Sequence, residues 1–138
     1  MPITYQIERT GPGRGIVRTT CSGVVTFSQV MEHFEVLRAD PERPDTLDVL
    51  LDLCGVETLP DRGQVRAVAE KMGQLPPRVG WGSLAVVAHR DVVFGVSRMF
   101  QTLSQGVFES THVFRSIEDA ETWLSANRLT DRRGSSEG

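Results

Sequence analysis

Apolar and polar residues alternate from Ile3 to Arg9 (ITYQIER), the pattern of a strand with one face buried and the other in water. Gly11-Pro12-Gly13-Arg14-Gly15 is a turn signal, and residues 16–22 (IVRTTCS) read as the returning strand, so the chain opens with a hairpin. From Thr26 the spacing changes. Phe27, Val30, Met31, Phe34 and Leu37 fall at i, i+3, i+4, i+7 and i+10, one stripe of an amphipathic helix. Thr26 and Gln29 form a capping-box pattern at its start, and Asp40-Pro41-Glu42-Arg43-Pro44-Asp45 stops it.

Leu47 to Leu53 is a nearly continuous apolar run, interrupted at Asp48, which predicts a strand buried on both faces in a parallel sheet. A loop at Pro60-Asp61-Arg62-Gly63 follows, then a helix with Asp61 as cap, Gln64 in the reciprocal position, and Val65, Val68, Ala69, Met72 and Leu75 as its apolar stripe. Pro76-Pro77 ends that helix. Residues 83–88 (SLAVVA) predict a second buried parallel strand. Asp91 is expected to cap a third helix, 92–105, whose Val92, Val93, Val96, Met99, Phe100 and Leu103 share one arc of about 120°, with Phe94 outside it. Thr111 to Arg115 predict a last strand, and Ser116 caps a final helix that turns Ile117, Ala120, Trp123 and Leu124 inward. The stretch 128–138 is polar and aperiodic, and a disordered tail is expected there.

The order β-β-α-β-α-β-α-β-α requires mostly parallel pairing with right-handed crossovers. The fold class is therefore α/β, a single domain over 1–127 with a mixed sheet of about five strands and about four helices. The chain's 138 residues are enough to bury roughly two-thirds of the unfolded surface in one core. A formal charge of −3 gives no general attraction to nucleic acid or to an anionic membrane. The start MPITYQIERT has no signal-peptide core, and no apolar run is long enough for stable membrane insertion, so a cytoplasmic location is expected. Cys21 and Cys54 are too few for a disulfide scaffold and read as buried reduced thiols; a redox pair requires that their strands be neighbours.

The central DVLLDLCGVETLPDRGQVRAV, with SGVVTFSQV before it and AVVAHRDVVFGVSRMFQTL and HVFRSIEDAETWL after it, resembles the STAS-like modules, and within them the SpoIIAA-like branch also compared with CRAL-TRIO domains. The resemblance covers residues 3–127. In the antagonists of anti-sigma factors, a serine in Asp-Ser-Ser-Gly at a helix start is phosphorylated and switches partner binding. Aligned without gaps from Asp52-Leu53, that tetrapeptide falls on Pro60-Asp61-Arg62-Gly63, which puts Arg62 at the phosphoserine position. A guanidinium accepts no phosphoryl group in this manner and carries the opposite charge, so the kinase-controlled switch does not transfer.

Open parallel sheets bind beyond the carboxyl ends of their strands. Those ends supply Asp52, His89-Arg90-Asp91 and Arg115-Ser116, and Asp61-Arg62 starts the second helix. Arg62 and Arg90 are candidates for an anion or a partner's carboxylate, with helix capping by Asp61 and Asp91 as the plainer role. His89, oriented by Asp52 or Asp91, is the candidate base of a small enzyme, yet no nucleophile motif accompanies it. His33 is placed on the polar side of the first helix. The histidines and cysteines have no metal-ligand spacing, and no cofactor is expected. Phe94, near Val107 and Phe108, and Trp81 between glycines are candidate exposed anchors. The leading expectation is a non-enzymatic regulatory or scaffold domain that contacts an unknown protein partner through Asp61, Arg62, Gly63, His89, Arg90 and Phe94, with a homodimer as a further assembly. A carrier of a lipid or apolar small ligand is the alternative, and an enzyme using His89 and Asp52 the second alternative.

Overall fold

The computed structural model of the protein describes residues 3–74 and 80–137, with side chains up to Asn127 apart from residue 73. The elements run β1 (Ile3–Gly11), β2 (Arg14–Val24), α1 (Phe27–Ala39), β3 (Thr46–Thr58), α2 (Arg62–Gln74), β4 (Gly80–Val87), α3 (Asp91–Leu103), β5 (Ser110–Phe114) and α4 (Ile117–Glu137). The α/β class and the element order are those the sequence predicts. Strands lie in the order β1-β2-β3-β4-β5. β1 is antiparallel to β2, and all other neighbours are parallel. Gly13 turns the opening hairpin at φ 67, a left-handed value that glycine reaches without a Cβ clash.

Successive crossovers of one hand put α1, α2 and α3 on the same side of the sheet and leave the other side to α4. β3 shows the consequence in its side chains. Val49 and Leu53 join the larger core with Val17, Leu84, Val86, Val68 and Met72, while Leu50 turns to the smaller core with Ile16, Ala85, Val87, Ala120 and Leu124. Burial on both faces thus accounts for the continuous apolar run.

β3 extends beyond the expected 47–53 through two irregularities. Thr20 pairs with Asp52 but Ser22 with Gly55, and Gly23 pairs with Val56 but Val24 with Thr58. An extra residue on β3 at each step keeps the strand paired while breaking its alternation. Polar Glu57 and Thr58 consequently remain in a strand that pattern reading ends at Leu53. α4 continues to Glu137, past the start of the expected tail. Extending a formed helix fixes one residue per added hydrogen bond, and no proline interrupts 128–137. The expected roles of Leu75, Pro76 and Pro77 lie outside the described residues.

The capping patterns form as expected. Thr26 and Gln29 exchange side-chain and backbone bonds, as do Asp61 and Gln64, and the Asp119 N–H donates to Ser116 Oγ at 3.1 Å. Asp91 does not cap α3. The cap position belongs to Arg90, without a side-chain bond, and Asp91 lies in the first turn, where its charge favours the helix dipole.

Trp81 is a core residue, not an exposed anchor: it packs edge-on to Phe34, centroids 6.3 Å apart, and tilted against Phe108 at 5.5 Å. The face of α3 is also rotated from the expected arc. Val93 and Ser97 are buried, Phe94 is half-buried against the core, and Val92 is 74% exposed. A serine fills the buried centre of that face at little cost because its hydroxyl donates to the Val93 carbonyl one turn earlier, at 2.8 Å.

Asp48 is the buried charge that holds the parallel strands in register. It is 1% exposed and accepts from Arg14 of β2 through Nη2 at 3.0 Å and Nε at 3.3 Å. Its Oδ1 also accepts the Ser83 N–H of β4 at 2.8 Å, where the β3–β4 ladder shifts between Leu47–Trp81 and Val49–Leu84. Gly82 makes room for this: a Cβ there would lie 2.2 Å from Asp48 Oδ1. The network continues from Ser83 Oγ to Ser110 Oγ at 3.1 Å, and Asn127 of α4 donates to both hydroxyls. Asp48→Ala leaves the Ser83 N–H and the Arg14 guanidinium short of a buried acceptor, and the expected loss is about 3 kcal/mol. Urea unfolding checks it: the midpoint falls while the slope is kept.

Candidate functional site

The carboxyl ends of β3, β4 and β5, with the starts of α2 and α3, form one end of the sheet. Asp61, Arg62 and Gly63 open α2 and are all exposed. Val65 buries that helix against the core, so the residues before it face water. Arg62 makes no hydrogen bond or ion pair within the described residues. Arg90 is committed: its Nη1 donates to the Val56 carbonyl at 3.3 Å and the Glu57 carbonyl at 3.2 Å, tying the start of α3 to the end of β3. Arg115 Nη1 donates to the His89 carbonyl and to Asp91 Oδ1, each at 2.8 Å, and its guanidinium lies 4.0 Å from the centroid of the Phe94 ring. Phe94 therefore stands under a cation, half-buried, and the bare apolar side chain at this end of α3 is Val92. Val107 packs on the core and Phe108 is buried, so neither extends an exposed patch with Phe94.

The geometry does not join His89 to Asp52. Asp52 Oδ1 accepts the Cys54 N–H at 2.9 Å, while the exposed His89 ring has no hydrogen-bond partner among the described residues. No group of three His, Cys, Asp or Glu side chains close enough to share a metal occurs among the described residues.

The two cysteines lie on neighbouring strands but on opposite faces. Cys21 is in the core beneath α1–α3, and Cys54 packs with the cluster beneath α4, so the neighbour condition is met and the pair is not. Burial pushes the Cys21 thiol up to about 12. Burial, aided by the hydrogen bond to Asp52, pushes Cys54 up to about 11. Neither is a thiolate nucleophile at neutral pH.

A polar group that pattern reading misplaced lies between α1 and the hairpin. His33 faces the sheet, not water. Its Nε2 is 3.3 Å from Thr19 Oγ1, and its ring meets Tyr5 edge-on with centroids 5.5 Å apart. Tyr5 Oη donates to Asp40 Oδ2 at 2.7 Å, which raises the phenol's pKa and lowers the carboxyl's. Buried Thr19 beneath the helix was the missing signal: a hydroxyl in an apolar strand face needs a partner, and His33 supplies it.

Among solved structures, the chain is similar to an uncharacterized protein of the DUF3478 family from Shewanella loihica PV-4, described as having a SpoIIAA-like fold. The TM-score is 0.58 at 17% identity, covering 88% of this chain and 93% of that one. The chain has a SpoIIAA-like fold. No family model and no curated protein matches it. Within this SpoIIAA-like fold Arg62 is the first residue of α2, so the guanidinium stands at a helix start.

No helix among the described residues is long and apolar enough to cross a membrane.

Burial lowers the His33 pKa from 6.5 to about 4. The unfolded chain then binds the proton first as pH falls, so this contribution is intact above pH 6.5 and is lost progressively between 6.5 and about 4. The expected loss is about 3 kcal/mol at most. Denaturant titrations across that window check it, with His33→Gln expected to flatten the slope.

Proposed function

We propose that the protein is a non-enzymatic, STAS-like regulatory or scaffold domain that acts through contact with another protein and lacks a phosphoserine switch. The surface runs from Asp61-Arg62-Gly63 to His89, Arg90 and Phe94, two loops joined by the Arg90 bonds to β3. The observation that carries this reading is the use made of the positive charges here. Arg90 and Arg115 are engaged internally, and Arg62 projects at a helix start with no partner among the described residues. An exposed cation and a bare valine, Val92, at the same end of the sheet suit the mixed polar and apolar chemistry of an interface, with a carboxylate of the partner as the counterpart of Arg62.

The strand ends also favour contact over catalysis. His89 has no orienting group among the described residues, Asp52 is occupied by the Cys54 amide, and both thiols are held protonated. Affinity capture from the native cell tests the proposal with the double variant Arg62→Glu, Val92→Asp. Both positions are exposed, so the variant is expected to keep the parent's stability within about 0.5 kcal/mol. The expected result is a protein retained by the parent chain and lost by the variant. An identical set retained by both would overturn this surface.

A further inference from the structure

The sheet has two edges, and they are finished differently. β5 is 5 residues long, and Gln101 Nε2 of α3 donates to its Thr111 carbonyl at 2.8 Å, covering one of its acceptors. β1 has 9 residues. Its regular part, Ile3–Arg9, precedes the shift at Arg9/Gly11 and contains no proline and no lysine. Proteins usually blunt an open edge with such residues, a bulge or a short strand, because its free N–H and C=O groups template further pairing. Apolar side chains lie beside this edge. Ile3, Tyr5 and Ile7 are half-buried on the face toward α1, and α1 itself fully buries only Leu37, with Phe27, Val30, Met31 and Phe34 half-buried.

We propose that β1 pairs antiparallel with β1 of a second copy of this chain, about a twofold axis at Gln6, so that the two sheets become one. The occupant follows from the strand's self-complementarity. Centring Ile3–Arg9 on itself sets Gln6 against Gln6, and Tyr5 of each copy against Ile7 of the other. An aromatic beside a β-branched residue is a favourable cross-strand pair. The strand's two charges fit as well. Glu8 of each copy faces Thr4 of the other and Arg9 faces Ile3, so no like charges oppose, and each Glu8 keeps its bond to Arg18 on its own β2. The twofold arrangement closes on itself and leaves no second open β1. This surface is distinct from the strand-end surface of the proposed function.

Sedimentation of the full chain across a range of concentrations tests the pairing, with Thr4→Glu and Thr4→Lys as probes. Thr4 is exposed, so neither change alters the folded monomer, and thermal unfolding at high dilution verifies that. The parent chain is expected to dimerise. Thr4→Glu places a carboxylate opposite the second copy's Glu8 at two symmetry-related points and raises the dimer dissociation constant about tenfold, whereas Thr4→Lys lowers it or leaves it unchanged. A parent chain that stays monomeric throughout overturns the proposal, even if its edge captures a foreign extended segment. A dimer that responds equally to both substitutions overturns it too.

Discussion

One carboxylate between three strands sets the geometry on which the rest of this domain depends. Asp48 lies where β3 enters the sheet, out of water, and receives donors from β2 on one side and β4 on the other. A slip of either neighbour by one residue would leave a charge without its partners in a low-dielectric interior, a penalty of several kcal/mol that hydrophobic packing would not offset. The ion pair is thus a register device more than a source of net stability. It explains why β4 carries an extra residue opposite Asp48, and why that residue's neighbour is Gly82. It also fixes the heights at which the opposite strand ends emerge, where the loops to α2 and α3 begin.

Arginine does different work in this domain according to what surrounds it. Arg14 neutralises a buried acid, Arg18 bridges Glu8 and Glu121 across the sheet face to α4, Arg90 satisfies strand-end carbonyls, and Arg115 is stacked and bonded. Arg14 and Arg18 engage carboxylates through two or more nitrogens of the planar fork, which a lysine's single ammonium would reproduce poorly, whereas Arg90 and Arg115 each serve two acceptors through Nη1. At the strand ends the solvent-facing Arg62 at the head of α2, by contrast with Arg90 and Arg115, has no hydrogen bond or ion pair among the described residues. Its charge is fixed and positive, at the first residue of a helix whose dipole does not offset it.

The fold was legible in the sequence because period and punctuation agreed. The alternation of 3–9, the doubly buried run at 47–53 and the capping patterns at Thr26, Asp61 and Ser116 each have one physical reading. Legibility failed where polar residues are buried with local partners. Ser97 rotated the face of α3, exchanging the expected places of Val92 and Phe94, and Thr19 drew His33 inward from a helix side that hydropathy alone assigns to water. Trp81 sits between glycines for close strand packing near Asp48, a tertiary reason that no local pattern carries. At the strand ends the sequence indicated which residues gather, but not which guanidinium remains unspent. That depends on carbonyls contributed by a neighbouring strand.

The placement of the thiols on opposite sides of the sheet gives the molecule a built-in gauge of its own opening. An alkylating reagent reaches half-exposed Cys54 in the native state, through a small reactive fraction set by its high pKa. Cys21, buried in the core beneath α1–α3, reacts only when that helical layer lifts or the chain unfolds. The ratio of the two labelling rates therefore separates local breathing of the α1–α3 layer from ordinary solvent contact, with no reporter group added.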